Sequence, residues 1–135
     1  MTRPPADLPA SADTVDRARA LIGARFRPQG RRADTGLDCV GLVAAATAAD
    51  PVPRNYPLRG GSLEDAEAAL VRAGLRRAED LAAGRVIILQ AGPGQLHFGI
   101  WAGAGLIHAD AGLGRVVERP GPPAWPVLSI WQVEN

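Results

Sequence analysis

Three residues of this sequence have side chains that together could supply a nucleophile and its base. The chain contains one cysteine and two histidines: Cys39 lies in the stretch GLDCVGLV, and His97 and His108 lie in HFGIWAGAGLIHA. In cysteine-dependent catalysis a thiolate attacks a carbonyl carbon, an imidazole takes the thiol proton, and a further polar group orients that imidazole. The three residues therefore predict nucleophilic catalysis with Cys39 as the nucleophile. The alternative for Cys39 is a small buried apolar side chain, a common role for a lone cysteine.

The position of Cys39 favours the catalytic interpretation. A helix is expected to begin at about Asp38 or Cys39, which places the sulfur beside unpaired backbone N–H groups and the positive end of a helix dipole. That end stabilises a thiolate by ~0.3–1 kcal/mol, and a nearby imidazolium lowers the thiol pKa further. We therefore expect a thiolate near neutral pH, with the Cys39 N–H available as an oxyanion donor. Gly36 and Gly41 permit a tight turn and close backbone approach.

The two histidines are expected on adjacent strands of one hairpin. Residues 96–102 and 105–109 have strand character, and Gly103 begins a two-residue turn of a type that favours glycine first. In that register His97 and His108 are diagonal neighbours on one face, ~7–8 Å apart at the backbone. A loop one residue longer would turn His108 to the opposite face. The catalytic interpretation therefore requires the shorter turn.

This geometry gives the histidines different roles. His97 would act as base toward Cys39 and then as acid toward the leaving amine. His108 would hold the second ring nitrogen of His97. Asp110, directly opposite His97 in the same register, is the alternative for that role. Ordinary sheet packing or surface exposure is the non-catalytic interpretation of both histidines.

The elements that must position these residues follow a simple order. Residues 12–26, residues 38–48 and a segment capped by Ser62 and Gly74 predict three helices. The strand patterns all come later in the chain, over residues 85–89, 96–102, 105–109, 115–118 and 127–133. The sequence thus predicts an α+β fold, with N-terminal helices packed on an antiparallel sheet of about five strands.

Length and composition limit the class of protein. The chain has 135 residues, enough for one domain, which we place at residues 11–135 after a flexible, proline-containing arm over residues 1–10. One cysteine forms no internal disulfide, and the Cys and His spacing is not that of a zinc site. No metal and no cofactor are therefore predicted.

The charge and hydropathy patterns exclude several partners. All 15 basic residues are arginine, yet the formal net charge is only +1, which gives no general attraction to nucleic acid or membrane. The longest nearly apolar stretch, residues 40–49, is too short to span a bilayer. The arm lacks the apolar run of a secretory signal, so we expect a protein made in the cytoplasm.

These motifs together resemble the NlpC-type family of papain-like bacterial cell-wall cysteine peptidases. The matching stretches are DCVGL, HFGIW and IHA, in the order in which that family carries its nucleophile, base and orienting histidine. The resemblance implies a papain-like fold, with Cys39, His97 and His108 as the catalytic residues. It also implies hydrolysis of peptidoglycan stem peptides, at the bond between D-isoglutamate and the following diamino acid.

Three further residues are candidates for substrate binding. Asp38 precedes the nucleophile, Arg27 could pair with carboxylates of a stem peptide, and Trp101 could line a cleft, a role equally open to Trp125 and Trp131. A solvated loop is the alternative for Arg27, and the protein core is the alternative for Trp101. The sequence departs from the family pattern at Val40, where a serine is usual, and near Phe26, where a tyrosine is often found.

The stretch FRPQG and the Cys39–Val40 pair resemble the branch of the family carried by phage tails and gene transfer agents. That resemblance implies a tail-tip peptidase, with tail-tip proteins as partners, that acts at the cell wall from a virion-like particle. Two other interpretations stay open. One is a non-catalytic tail-tip or adaptor subunit on the same fold, and the other is a papain-like acyltransferase.

Overall fold

The computed structural model describes residues 10–47 and 62–133. The helices are α1 (Ala10–Ala20), α2 (Cys39–Thr47) and α3 (Leu63–Arg72). The strands are β1 (Arg31–Arg32), β2 (Gly36–Leu37), β3 (Leu75–Ala78), β4 (Val86–Gly92), β5 (Gln95–Trp101), β6 (Gly105–Asp110), β7 (Arg115–Pro120) and β8 (Val127–Val133). The predicted α+β class is confirmed, and the six strands of the main sheet follow the helices, but β1 and β2 lie between α1 and α2.

Six strands form the main antiparallel sheet in the order β3-β8-β4-β5-β6-β7. β1 and β2 form a separate two-stranded ribbon immediately before α2. The central strands β4 and β5 pair without interruption from Val86–Ile100 to Gln90–Leu96. β4, β5 and β6 supply most of the fully buried large side chains, as expected of strands covered on both faces.

The two faces of the sheet carry separate apolar clusters, because successive strand residues point to opposite sides. The helix-side cluster contains residues of all three helices and, from β5, Leu96, Phe98 and Ile100. The opposite-side cluster is smaller and consists of Ile87, Leu89, Trp101 and Leu106, with Trp125 and Ile130 packed against it. The positions that alternate with Phe98 therefore face the smaller cluster.

The first helix is shorter than predicted. It ends at Ala20 rather than near Phe26 because Gly23 adopts a positive φ of 93° and the chain turns. The residues that follow are extended: the N–H of Phe26 donates to the carbonyl of Gly114, and Arg25 bridges Arg115. The segment 21–26 thus lies along the edge of the sheet.

The third helix begins and ends as predicted. Ser62 is its N-cap, with Oγ accepting from the N–H of Asp65 at 3.0 Å, and Gly74 follows the C-cap residue with φ of 94°. Sequence reasoning missed β3, because this four-residue strand is mostly exposed and contains two arginines. It missed β1 and β2 because two residues give no periodicity.

Part of the predicted organisation lies outside the described residues. This applies to the arm up to residue 9 and to the extended connection that Pro51, Pro53 and Pro57 predict between the second and third helices. Within the described part of the chain, no helix is long and apolar enough to cross a membrane.

Candidate active site

The start of α2 is fixed by the side chain of Asp38. Its Oδ1 accepts from the backbone N–H of Gly41 at 2.8 Å, which makes Asp38 the N-cap and Cys39 the first residue of the helix. The same oxygen accepts from the guanidinium of Arg31 at 2.8 Å, and Oδ2 accepts from the N–H of Gln29 at 2.9 Å. Asp38 therefore ties the preceding loop to the helix that carries the thiol.

Close backbone packing supports the same junction. A Cβ at Gly41 would overlap the carbonyl oxygen of Gly30, and a Cβ at Gly30 would overlap that of Gly36. Gly36 also has a φ of 132°, a conformation that L side chains rarely adopt. The expectation that Gly36 and Gly41 permit a tight turn and close approach is confirmed.

The Cys39 sulfur is enclosed. The residue is 2% exposed, and the backbone N–H groups of Phe98, Val40 and Cys39 itself act on its sulfur. Burial nevertheless raises the pKa of the thiol to about 12, and the neighbouring Asp38 carboxylate adds to the increase. The prediction of a preformed thiolate at neutral pH is therefore wrong for this state, because desolvation outweighs the helix dipole and the N–H groups.

The hairpin that carries the histidines has the predicted register. Trp101 pairs with Leu106 and Ile100 with Ile107, and the N–H of Ala102 donates to the carbonyl of Gly105 at 2.8 Å. Gly103 has a φ of 103°, as the first position of this two-residue turn requires. In the described residues the β5–β6 pairing ends after these two pairs, so the strands diverge toward the histidines.

The two imidazoles meet on one face, as the turn predicts. His97 Nε2 lies 3.0 Å from His108 Nδ1, and the rings are nearly perpendicular, with an interplanar angle of 89°. His108 is 1% exposed, whereas His97 is partly exposed. The hydrogen bond leaves Nδ1 of His97 as the ring nitrogen available for proton exchange.

Burial makes both imidazoles poor proton acceptors at rest. It lowers the pKa of His97 to about 4, with the adjacent His108 adding to the decrease and Asp110 opposing it. Burial also lowers the pKa of His108; Asp110 opposes this shift and Arg119 reinforces it. At neutral pH the site therefore holds a neutral thiol and two neutral imidazoles.

Asp110, the alternative partner for His97, has another role in this structure. Its Oδ1 accepts from the N–H of Leu113 at 3.0 Å, and its carbonyl accepts from the N–H of Gly114. These bonds hold the turn between β6 and β7. The hydrogen-bond partner of His97 is His108, and Asp110 acts on the imidazoles through its charge.

One cavity of about 420 Å³ contains all three predicted catalytic residues, Cys39, His97 and His108, in its wall. The rest of the wall comes from the loop before α2, from the ends of β4, β5 and β6, from the β6–β7 turn and from the β7–β8 loop. These residues are Phe26, Pro28, Gln29, Asp38, Ala91, Gln95, Leu96, Ala109, Asp110, Ala111, Gly112 and Trp125. The structure thus brings together residues that lie far apart in the sequence.

The candidate substrate-binding residues have different locations. Asp38 lies at the cavity wall, but its carboxylate is engaged in the three hydrogen bonds described above. Trp101 is 7% exposed and packs with the opposite-side cluster at the far end of the hairpin, so its assignment to the cleft is wrong. Arg27 is exposed and, among the described residues, does not line this cavity.

Sequence reasoning did not single out Trp125 from Trp101 and Trp131, yet Trp125 is the tryptophan that lines the cavity. Trp125 contacts both imidazoles edge to face, with ring centroids 5.4 Å from His97 and 5.6 Å from His108. The three prolines around it, Pro122, Pro123 and Pro126, were the available signal of a rigid loop. Gln29 was also missed; it lines the cavity with a left-handed φ of 59°.

The donor set is that of a nucleophilic site. Within the described ranges, no group of three or more His, Cys, Asp or Glu side chains is placed to hold a metal ion. Acyl transfer through a thioester uses a sulfur nucleophile, a neutral imidazole base and backbone N–H groups such as those at a helix start.

The fold is similar to solved structures of NlpC and P60 proteins. NlpC1 from Trichomonas vaginalis matches with a TM-score of 0.66 and 17% identity, over 90% of this chain and 44% of that one. The P60 domain of an antigen from M. avium subspecies paratuberculosis matches with a TM-score of 0.60 and 20% identity, over 92% of this chain and 93% of that one. The peptidoglycan hydrolase RipB from Mycobacterium tuberculosis matches with a TM-score of 0.58 and 22% identity, over 100% of this chain and 74% of that one.

This chain spans less than half the length of NlpC1. No protein-family model and no curated protein matches the sequence. At these identities the likeness establishes the fold, which is the papain-like α+β fold predicted from the sequence.

Proposed function

We propose that this chain is a cysteine peptidase that hydrolyses peptidoglycan stem peptides. The observation that carries the proposal is the convergence of Cys39, at the first position of α2, with the hydrogen-bonded His97–His108 pair in one cavity. The likeness in fold to RipB, a peptidoglycan hydrolase, supports the substrate class.

In the first step His97 takes the proton of Cys39 at Nδ1 as the sulfur attacks the scissile carbonyl carbon. A C–S bond forms, and the carbonyl oxygen becomes an oxyanion. The backbone N–H groups of Cys39 and Val40, which lie at the start of α2 and act on the sulfur, would donate to that charge. Because the resting thiol is neutral, proton transfer accompanies attack instead of preceding it.

In the second step the scissile C–N bond breaks and His97 gives the proton to the leaving amine. Water, activated by the same imidazole, then hydrolyses the thioester and restores the thiol. His108 accepts a hydrogen bond from Nε2 of His97 throughout, so the imidazolium formed after attack is stabilised and held in orientation.

The resemblance of the DCVGL, HFGIW and IHA stretches supports a specific bond, that between D-isoglutamate and the following diamino acid. The test is digestion of purified muropeptides, with the products identified by mass spectrometry. Wild-type protein should release a dipeptide ending in D-isoglutamate, and Cys39→Ala should release none. Cleavage elsewhere in the stem would reject the bond assignment, and no cleavage of any stem peptide would reject the peptidase.

Delivery by a phage-like tail is a further part of the proposal, supported by the FRPQG stretch and by Val40 after the nucleophile. Co-purification of the chain with intact particles, detected with an antibody, tests this part independently of catalysis. Recovery of the chain only in the particle-free fraction would reject it.

A non-catalytic structural role is the second candidate, and the enclosure of Cys39 at 2% exposure favours it. A structural subunit would form no thioester. Trapping of an acyl-enzyme during the muropeptide digestion, seen as a mass increase on Cys39, therefore separates the two candidates. An acyltransferase would instead pass that acyl group to an added amine.

A further inference from the structure

Trp125 occupies a position that the proposed mechanism does not yet use. Its indole contacts His97 at an interplanar angle of 77° and His108 at 84°, so one ring edge meets one ring face in each pair. The same side chain packs against the opposite-side cluster of Ile87, Leu89, Trp101 and Leu106. It therefore connects the imidazole pair to the apolar side of the sheet that lies away from the helices.

The loop that carries Trp125 is held at both ends. The N–H of Gly121 donates to the carbonyl of Ala104 at 2.9 Å, and the N–H of Gln90 donates to the carbonyl of Pro126 at 3.0 Å. Pro122, Pro123 and Pro126 restrict the backbone between and beside these anchors. A ring presented by such a loop is placed accurately relative to the sheet.

His108 has a ring nitrogen that its hydrogen bonding leaves unexplained. Its Nδ1 is paired with His97, but its Nε2 is fully buried and, among the described residues, has no hydrogen-bond partner. A buried polar atom without a partner is costly unless another interaction compensates for it. The only aromatic rings in contact with His108 in this part of the chain are those of His97 and Trp125.

The hydrogen bond between the two imidazoles allows two proton arrangements. In the first, His97 Nε2–H donates to His108 Nδ1, so His97 Nδ1 has a free electron pair and His108 carries its proton on Nε2. In the second, His108 Nδ1–H donates to His97 Nε2, and His97 Nδ1 is protonated. Only the first arrangement lets His97 act as a base toward Cys39.

We propose that Trp125 is a positioning residue that selects the first arrangement, by receiving the buried Nε2–H of His108 on its π face. An N–H edge is attracted to the negative face of an aromatic ring, whereas a nitrogen electron pair is repelled by it. Trp125 thereby fixes the tautomer of His108, and the hydrogen bond transmits that choice to His97. The catalytic meaning of this inference rests on the proposed peptidase function.

The charged groups that face the pair do not make the same selection. Asp110 at the end of β6 acts on both imidazoles and favours their protonated forms, and Arg119 on β7 disfavours protonation of His108. Both groups change how readily a proton binds. Neither of them is hydrogen-bonded to a ring nitrogen of His97 or His108 in the described residues, so neither fixes the position of a proton by direct contact.

Nitrogen-15 NMR of the histidine side chains in the full chain near pH 7 tests the inference directly, since both imidazoles are neutral there. His108→Gln assigns the two spin systems. Wild-type protein and Trp125→Phe, which keeps an aromatic face, should carry the proton on Nε2 of both histidines. Trp125→Leu should shift His108 and His97 toward the Nδ1–H forms. Trp131→Leu removes an indole elsewhere in the sheet, one more buried than that of Trp125, and should leave both tautomers unchanged.

Kinetics supply the second measurement. In Trp125→Leu we expect kcat to fall by about tenfold (~1.4 kcal/mol, the scale of one aromatic contact) with little change in KM, and Trp125→Phe should recover most of the loss. A wild-type spectrum with His108 protonated on Nδ1 would overturn the inference, even if Trp125→Leu does not fold. So would unchanged tautomers in folded Trp125→Leu. An inactive protein with the expected tautomers would reject the peptidase and leave this inference standing.

Discussion

The two faces of the main sheet contribute different parts of the candidate site. The helix-covered face holds the large apolar cluster and supplies Cys39, which is itself part of that cluster. The opposite face holds only a small cluster and, at the positions that alternate with Phe98, supplies the two imidazoles beside Trp125. The nucleophile and its base thus come from opposite sides of one sheet.

Both line one cavity, at the end of the hairpin where the pairing of β5 with β6 stops short. Beyond Ile100 and Ile107 the two strands diverge, and the N–H of Phe98 is directed at the sulfur of Cys39 instead of at β6. One face thus contributes a buried thiol and the other a hydrogen-bonded imidazole pair, and the following experiments test that comparison.

The largest effect should come from the thiol. Cys39→Ala and Cys39→Ser should each lower the rate of stem-peptide cleavage by at least ~10³-fold, because the other catalytic residues cannot act without the nucleophile. Ala45→Ser, an exposed change on the same helix, is the matched control and should keep full activity. Circular dichroism checks that each variant folds. More than a few per cent of activity in folded Cys39→Ala would contradict a covalent mechanism.

The burial of the thiol in the larger cluster predicts slow alkylation. With its pKa raised to about 12, the native thiol at pH 8–9 should hold on the order of 10³-fold less thiolate than the unfolded chain. The iodoacetamide labelling rate should therefore keep rising beyond pH 10, and the same protein in urea should show an ordinary thiol. If the labelling rate instead reached a plateau below pH 8.5, the imidazoles of His97 and His108 would stabilise a Cys39 thiolate in the folded protein.

The imidazoles should be unequal. His97→Ala should lose as much activity as Cys39→Ala, whereas His108→Ala should lose about 10²-fold, because orientation is impaired but the base remains. His108→Asn can still accept from His97 Nε2 and should recover part of the loss. Asp110→Asn is the comparison variant with a small expected effect. A fully active His108→Ala would remove His108 from the site.

The junction before α2 should matter more for stability than an exposed ion pair. Asp38→Ala removes the N-cap of α2 and the carboxylate that pairs with Arg31. Because both side chains of this ion pair are only 11% exposed, the substitution should lower the free energy of unfolding by about 3 kcal/mol. Asp34→Ala breaks the exposed Arg32–Asp34 pair and should leave the urea midpoint unchanged. Equal midpoints for the two variants would show that Asp38 does not fix the junction.

The smallest effect is a dependence of stability on pH. The pKa of His97 falls from an ordinary 6.5 to about 4 on folding, so between these values the unfolded chain binds more protons than the native one. His97 stabilises the fold fully above pH 6.5, and on the order of 2 kcal/mol should be lost as pH falls toward 4. The free energy of unfolding of His97→Gln, measured by urea titration at several pH values, should lack this contribution. If the wild type and His97→Gln showed the same pH dependence, the His97 imidazole would be in contact with water.

Much of the fold was predictable from local signals. Ser62 and Gly74 bound α3, the Gly103 turn sets the β5–β6 register, and Asp38–Cys39 marks the start of α2. Such signals act over a few residues, so they can be read from the sequence. The end of α1 was misplaced although Gly23 is a local signal for it, because the extended edge segment that follows depends on contacts with Gly114 and Arg115. β3 was missed because its formation depends on pairing with β8.

The sequence by itself determined the chemical types of the site, the register of the hairpin and the shared face of His97 and His108, since side chains alternate along a strand. Only the tertiary structure decided the ionisation of the site, because the pKa of Cys39 depends on desolvation by residues distant in the chain. It likewise decided that Trp125, and not Trp101, contacts the imidazoles. Burial and ring contacts are sums over neighbours from several elements, and no local pattern encodes them.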